Sequence, residues 1–229
     1  MTKREVEIVC GSCYHVFNSA INGTKVFQQQ AHYERFVRLI RYYRKNMFWK
    51  YARFECLKTY SPEIVLSQTN AEKLVDVIAY CIMPDHFHII LKQVLDGGVS
   101  KFMAKITNAY AKFFNRIKKK NGPVWSGRYR CSKIETEKEF LCISRHLHME
   151  PVFAGLVKKP EQYEYSSFRE YINRVKNDDT KICSFDGYVN IEPKEYATFV
   201  KDTDNYIKTF DTISRLIFEN CLIPQTRRI

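Results

Sequence analysis

The tripeptide His86-Phe87-His88 is the part of this chain best suited to chemistry. On a β-strand, residues i and i+2 share a face, so both imidazoles project to one side while Phe87 turns to the other. Two convergent imidazoles suggest a metal site. Their setting in the apolar run from Cys81 to Lys92 strengthens that expectation, because an unpaired imidazole on an interior strand is costly to bury. A carboxylate would complete the site. Glu137 to Met149 reads as a helix closed by Pro151, with Phe140, Ile143, Ser144 and Leu147 inward and His146 and Glu150 together on its flank. His148 points nearly the other way from His146, so those two cannot clamp one ion. His86, His88 and Glu150 together would suit manganese or magnesium beside a phosphate, or another first-row divalent ion. From spacing alone, the plainer readings are a solvated helix-end carboxylate for Glu150 and a half-buried flank residue for His146. Cys10-Gly11-Ser12-Cys13 is half of a zinc motif, and no second cysteine pair completes it.

The elements that must position these residues follow from periodicity. Ile8 to Ser19 is strand-like, Asn22-Gly23 marks a turn, and Gln28 to Arg44 carries Phe36, Val37, Ile40 and Tyr43 at helical spacing. Residues 45 to 73 mix aromatics and charges and read as an insertion with some helix. Val75 to Met83 and His86 to Val94 are two strands joined by Pro84-Asp85. Ser100 to Lys118 is an amphipathic helix with Phe102, Ile106, Ala109, Phe113 and Ile117 on one side. Tyr129 to Ile134 forms a fourth strand, followed by the helix that carries Glu150. This order predicts an α+β fold of the ferredoxin-like split βαβ kind, a four-stranded antiparallel sheet with helices packed on one face. The main domain spans residues 1–152. Residues 153–229 form a C-terminal arm, irregular to Tyr171 and ending in an amphipathic helix from Lys194 to Glu219.

Charge points to the partner. The chain carries a net charge of +12, which favours a polyanion. From Gly97 to Ile134 there are ten basic residues and no acidic one, among them Lys112, Arg116, Lys118, Lys119, Lys120, Arg128, Arg130 and Lys133. These cations would meet phosphates, and Trp125 and Tyr129 could stack on unpaired bases. A two-histidine, one-carboxylate iron oxygenase would give no reason for this basic span. The start of the chain is charged with no apolar stretch behind it, and no segment is long enough to cross a bilayer, so a soluble, cytoplasmic, nucleoid-associated protein is expected. Eight cysteines at irregular spacing read as reduced thiols.

The run Ala79-Tyr80-Cys81-Ile82-Met83-Pro84-Asp85-His86-Phe87-His88-Ile89-Ile90-Leu91 resembles the HUH signature of the single-tyrosine transposases of the insertion-sequence-200 type, in particular the REP-associated tyrosine transposases. The resemblance continues through Tyr110 to Asn115, Trp125 to Tyr129, Arg145 to Val152, Ala154 to Val157 and Tyr165 to Ser167, covering roughly residues 10 to 171. It implies that His86 and His88 hold a divalent ion, magnesium or manganese, that polarises a phosphate in single-stranded DNA. It also implies a helix tyrosine that attacks to leave a 5′-phosphotyrosine and a free 3′-hydroxyl, and recognition of short DNA hairpins by a monomer or homodimer. The chain departs from the pattern where it matters most. His146 stands at the tyrosine position and Glu150 at that of a neutral amide. A carboxylate should tighten metal binding while weakening the ion's Lewis acidity. An imidazole could attack phosphorus, but its reach is shorter than a phenol's. Tyr110 and Tyr129 are the nearest substitutes in sequence. The alternative is a catalytically silent, domesticated protein that retains hairpin binding.

Overall fold

The structure, a computed structural model, describes residues 6–53, 70–173, 175, 181–185, 188, 191–203 and 206. Four strands make one antiparallel sheet in the order β2-β3-β1-β4. They are β1 (Cys13–Ser19), β2 (Val75–Ile82), β3 (His86–Gln93) and β4 (Arg130–Ile134). Three long helices accompany them, α1 (Gln30–Tyr43), α2 (Gly98–Lys118) and α3 (Glu137–Phe153), followed by the short α4 (Phe168–Tyr171) and by α5 (Pro193–Lys201). This is the expected split βαβ sheet, with β3 inserted between β1 and β2 and antiparallel to both.

Strand alternation divides the core in two. Tyr14, Val16, Phe87, Ile89 and Leu91 face α1 and α2 in one apolar cluster, whereas Phe17, Ile78, Ala79, Cys81 and Ile90 face α3 in another. The expected single helical layer therefore holds for α1 and α2, and α3 covers the opposite face. Only that placement can bring a helix residue to the histidines, whose parity is opposite to that of Phe87.

Local chemistry sets the ends of α3. Thr136 accepts from the Glu139 N–H, and the Glu139 side chain reaches back to the Thr136 N–H, a capping box that starts the helix sharply. Pro151 does not close the helix as expected; the last turn runs on to Phe153, with the Ala154 N–H donating to the Glu150 carbonyl. Glu150 is thereby held inside a helical turn. In α2 the buried stripe is Val99, Phe102, Ile106, Tyr110 and Phe114, while Ile117, expected inward, is 41% exposed. Steps of four follow the helical stripe here, and the Tyr110 hydroxyl fixes the rotation by donating to the Val26 carbonyl at 2.8 Å.

Gly98, at the start of α2, lies hard against β2's approach. A Cβ there would sit 2.1 Å from the Leu74 carbonyl oxygen. Gly98→Ala is expected to destabilise the fold by about 1–3 kcal/mol through backbone displacement, lowering the thermal midpoint by roughly 2–12 °C. Thermal denaturation followed by circular dichroism checks this, and an unchanged midpoint would show that the contact relaxes without cost.

The insertion is helical at Tyr51–Arg53, and residues 54–69 of it lie outside the described residues, as does the expected last helix beyond Lys201 apart from 202, 203 and 206. The six cysteines among the described residues are free. Among the described residues no helix is long and apolar enough to cross a membrane.

Candidate metal centre

The Pro84-Asp85 connection anchors the first histidine. Ala20 and Phe27 donate backbone N–H groups to the carbonyls of Asp85 (2.7 Å) and Pro84 (2.9 Å), and Met83 donates to the His86 carbonyl (2.8 Å). His86 then opens β3, and His88 follows on the same face. Glu150 comes down from α3 to meet them. His86 Nε2 is 2.8 Å from Glu150 Oε1, and His88 Nε2 is 3.5 Å from Oε2. Donor atoms of the three residues all lie within 4.8 Å of one another, a grouping that the described residues show at this place. His88 is fully buried and the His86 side chain is 12% exposed, so the cluster opens to solvent on the His86 side.

The outer nitrogens of both rings are engaged. His86 Nδ1 is 2.7 Å from Asp85 Oδ1, and His88 Nδ1 is 2.9 Å from Nε2 of His15, whose ring lies parallel to it at 5.1 Å. With Nδ1 protonated on each ring, both Nε2 lone pairs point at the carboxylate, as second-shell partners arrange for metal-ligating histidines. Burial by itself would raise the Glu150 carboxyl, but His88 and His86 pull it well below the ordinary range. The hydrogen bond from His86 likewise lowers Asp85. Oε2 of Glu150 is buried and makes no hydrogen bond. A proton or a metal ion can sit between these imidazole nitrogens and the largely buried carboxylate, and the set of two nitrogen donors and one oxygen donor fits a divalent cation.

His146 is beside this cluster without being one of its ligands. Its ring stands edge-on to that of His88 at a centroid distance of 5.9 Å, and its Nδ1 is 2.7 Å from the Tyr206 hydroxyl. His148 points away, as its position on the helix predicts. It lies 2.8 Å from Ser167 Oγ and 2.8 Å from the Tyr196 hydroxyl, and burial pushes its imidazole down to about 3, so it is a neutral packing residue. The plain reading of Glu150 as a solvated carboxylate is overturned by its 5% exposure. His15 and Asp85 carry no expectation from sequence. Asp85 adjoins a histidine, and His15 could have been found from strand parity, which aligns it with Phe17.

The basic span divides among four places. Arg130 pairs with Phe17, and Phe17 with His88, so a row across three strands puts Arg130 on the histidine face. Arg128 is close by, because its loop is tied to β1: the Ser126 N–H donates to the Ser19 carbonyl at 2.9 Å, and Ser19 is the β3 partner of His86. Lys133 pairs with Tyr14 and belongs to the opposite face. Lys112 and Arg116 line a cleft of about 410 Å³ between α1 and α2, together with Arg35, Lys50 and Lys105. Lys118, Lys119 and Lys120 form the exposed end of α2.

The two aromatic residues sit differently from what base stacking needs. The Trp125 indole packs against Phe27, Phe87 and Tyr110 and donates its N–H to the Thr107 carbonyl at 3.0 Å, so most of its ring belongs to the core. Tyr129 packs against the same cluster, with its hydroxyl 3.3 Å from Ser100 Oγ. Tyr110 is completely buried on the α2 face. Neither Tyr110 nor Tyr129 is therefore placed beside the histidines, since both pack with the cluster on the other face of the sheet.

A histidine-aromatic-histidine strand thus lies inside a split βαβ sheet and is faced by a helix carboxylate. The family model described as "Transposase IS200 like" matches residues 9–149, and the chain belongs to that family. A search of curated proteins finds no match. Among solved structures, the chain is similar to a REP-associated tyrosine transposase bound to a REP hairpin, with 14% identity over 83% of this chain and 99% of that one and a TM-score of 0.50. It is also similar to a protein from Deinococcus radiodurans described as a transposase, with 13% identity over 61% of this chain and 91% of that one and a TM-score of 0.34. At 14% identity the likeness to the first of these speaks for the fold alone.

Proposed function

We propose that this member of the transposase family binds hairpin DNA and its single-stranded flanks, and nicks and rejoins them with a magnesium or manganese ion held by His86, His88 and Glu150. The convergence of two imidazoles on one buried carboxylate, His86 on Oε1 and His88 on the Oε2 that lacks a hydrogen bond, carries this reading. The ion would act as a Lewis acid on a phosphate oxygen and lend the reaction charge stabilisation without a proton. The chain's own part is to hold that geometry through His15 and Asp85, and to bring DNA to it. Arg128 and Arg130 supply phosphate contacts on the same face, and Lys112, Arg116 and the Lys118–Lys120 end would grip backbone phosphates elsewhere. Their wide spacing suits a folded hairpin with a single-stranded flank better than a short strand. The hairpin in the structurally similar complex supports the same partner.

The test is salt-dependent binding of a REP-type hairpin with single-stranded flanks, followed by fluorescence anisotropy. Affinity is expected to fall steeply with salt, and each of Arg128→Ala and Arg130→Ala to reduce the slope of log K against log salt by about 0.7. Affinity insensitive to salt sinks the proposal. His146 at the tyrosine's position supports a second reading, a silent domesticated protein that keeps hairpin binding. Incubation of labelled hairpin with manganese separates the two: covalent adduct or cleavage supports the enzyme, and binding without either supports the silent form.

A further inference from the structure

His146 leaves the family's nucleophile position without a tyrosine, yet a tyrosine stands next to it. Tyr206 lies beyond α5 and beyond the segment that matches the family. Its hydroxyl is 2.7 Å from His146 Nδ1, and its ring is nearly parallel to the imidazole, at an angle of 6°. Two further contacts fix where the ring sits on α3. Phe153 packs against it at 4.8 Å, and the Arg145 guanidinium lies over it at 5.5 Å. At about 100° per residue, positions 146, 150 and 153 form one stripe of the helix. Tyr206 touches the first and last of these, and the ligand Glu150 lies between them. The phenol is thus laid along the stripe that faces the metal cluster, one imidazole away from His88.

The other tyrosines near this face are held elsewhere. Tyr163 and Tyr171 donate their hydroxyls to the carbonyls of Ile82 and Ile78, and Tyr196 donates to Ser144. Each is tied to structure. Tyr206 differs from Tyr163 and Tyr171 in that its hydroxyl meets an imidazole, a group able to orient a phenol and accept its proton, and from Tyr196, which meets His148, in that its imidazole stands against the His88 ring instead of pointing away from it.

We propose that Tyr206 is the nucleophile of this protein, relocated from α3 to the C-terminal arm, and that His146 is the base that orients it and takes its proton. This rests on the reading of the protein as a DNA-nicking enzyme. In the step, Tyr206 Oη forms a bond to the scissile phosphorus and the phenolic proton passes to His146 Nδ1. The P–O3′ bond breaks with its electron pair, and the 3′-oxygen takes a proton from water. A 5′-phosphotyrosine and a free 3′-hydroxyl result. Rejoining is the reverse attack by a 3′-hydroxyl, which returns the phenol.

The experiment uses the full chain, a labelled hairpin with single-stranded flanks, and manganese. Adduct is isolated, mapped by peptide mass spectrometry and exposed to acid, which spares a phosphotyrosine and hydrolyses a phosphohistidine. An acid-stable adduct on Tyr206 is expected, and Tyr206→Phe should reduce its formation by about 10³-fold or more. In Tyr206→Phe, manganese affinity by calorimetry and hairpin affinity should each change less than about two-fold, on the scale where a lost ligand is worth far more. His146→Tyr in the Tyr206→Phe background should restore an adduct, now on position 146. An acid-labile adduct on His146, or undiminished adduct in Tyr206→Phe, overturns the proposal. Adduct from the double variant with none from the wild type overturns it too, while sparing the parent reading of a competent scaffold. No adduct from any of these proteins removes the parent reading and the proposal together.

Discussion

Replacing His88 by alanine is expected to lower manganese affinity by at least ~100-fold and to abolish DNA cleavage. Loss of a residue that hydrogen-bonds a metal-ligating histidine typically costs 10–100-fold, and on the proposed reading His88 is itself a ligand, with His15 as such a residue. The substitution removes one of two nitrogen donors, takes away the ring that His15 meets at 2.9 Å, and removes one of the two imidazoles beside the buried Glu150 carboxylate. Calorimetry with manganese measures the first effect and labelled-hairpin cleavage the second. His15→Phe keeps the ring's volume and removes the hydrogen bond to His88 Nδ1, so an intermediate loss of about 10–100-fold in affinity is expected. If His88→Ala binds manganese as tightly as the wild type, the metal is held elsewhere. Hairpin binding should survive both substitutions, because the proposed phosphate contacts lie on other residues.

The second large effect concerns stability. Glu170, in α4, is 3% exposed, and its Oε2 accepts the backbone N–H groups of Ile182 (3.0 Å) and Cys183 (2.8 Å). The Tyr80 hydroxyl, from β2, donates to its other oxygen at 3.4 Å. One carboxylate thus joins the sheet, α4 and the 182–183 segment. Glu170→Ala takes the acceptor from three donors, two backbone N–H groups and the Tyr80 hydroxyl, and should cost about 3–5 kcal/mol, a drop in thermal midpoint of roughly 6–20 °C. A midpoint within 2 °C or so of wild type, in a scan whose precision is well under the effect, would mean that the segment docks independently of the carboxylate. Burial raises the Glu170 carboxyl above its ordinary range. Its protonated form therefore favours the folded state at low pH, and that contribution is lost as pH rises through the raised value. Glu170→Gln, which cannot ionise, is expected to gain stability relative to the wild type over that same rise.

Much of the metal cluster was legible because period-2 and period-3.6 patterns assign side chains to faces. His86 and His88 fell together by strand parity, and His146 and Glu150 by helix spacing, and the structure brings all four to one side of the sheet. That α3 covers this side was not legible: a split βαβ unit places its two crossover helices on one face, and α3 follows β4 outside either crossover. Trp125 misled because an aromatic residue in a basic span looks the same whether it stacks on a base or on Phe27. Tyr206 was out of reach for a different reason. Sixty residues separate it from His146, and no periodicity relates positions on two elements that meet only through tertiary packing.

The pleat of β4 has a consequence for the path of any bound strand. Arg130 and Lys133 are neighbours in sequence, yet their parity sends one to the α3 side of the sheet and the other to the α1–α2 side. β4 is the outermost strand next to β1. A single polyanion that touches both cations has to turn around that rim, as a rope turns around a cleat, and the rim then sets the point at which its course bends.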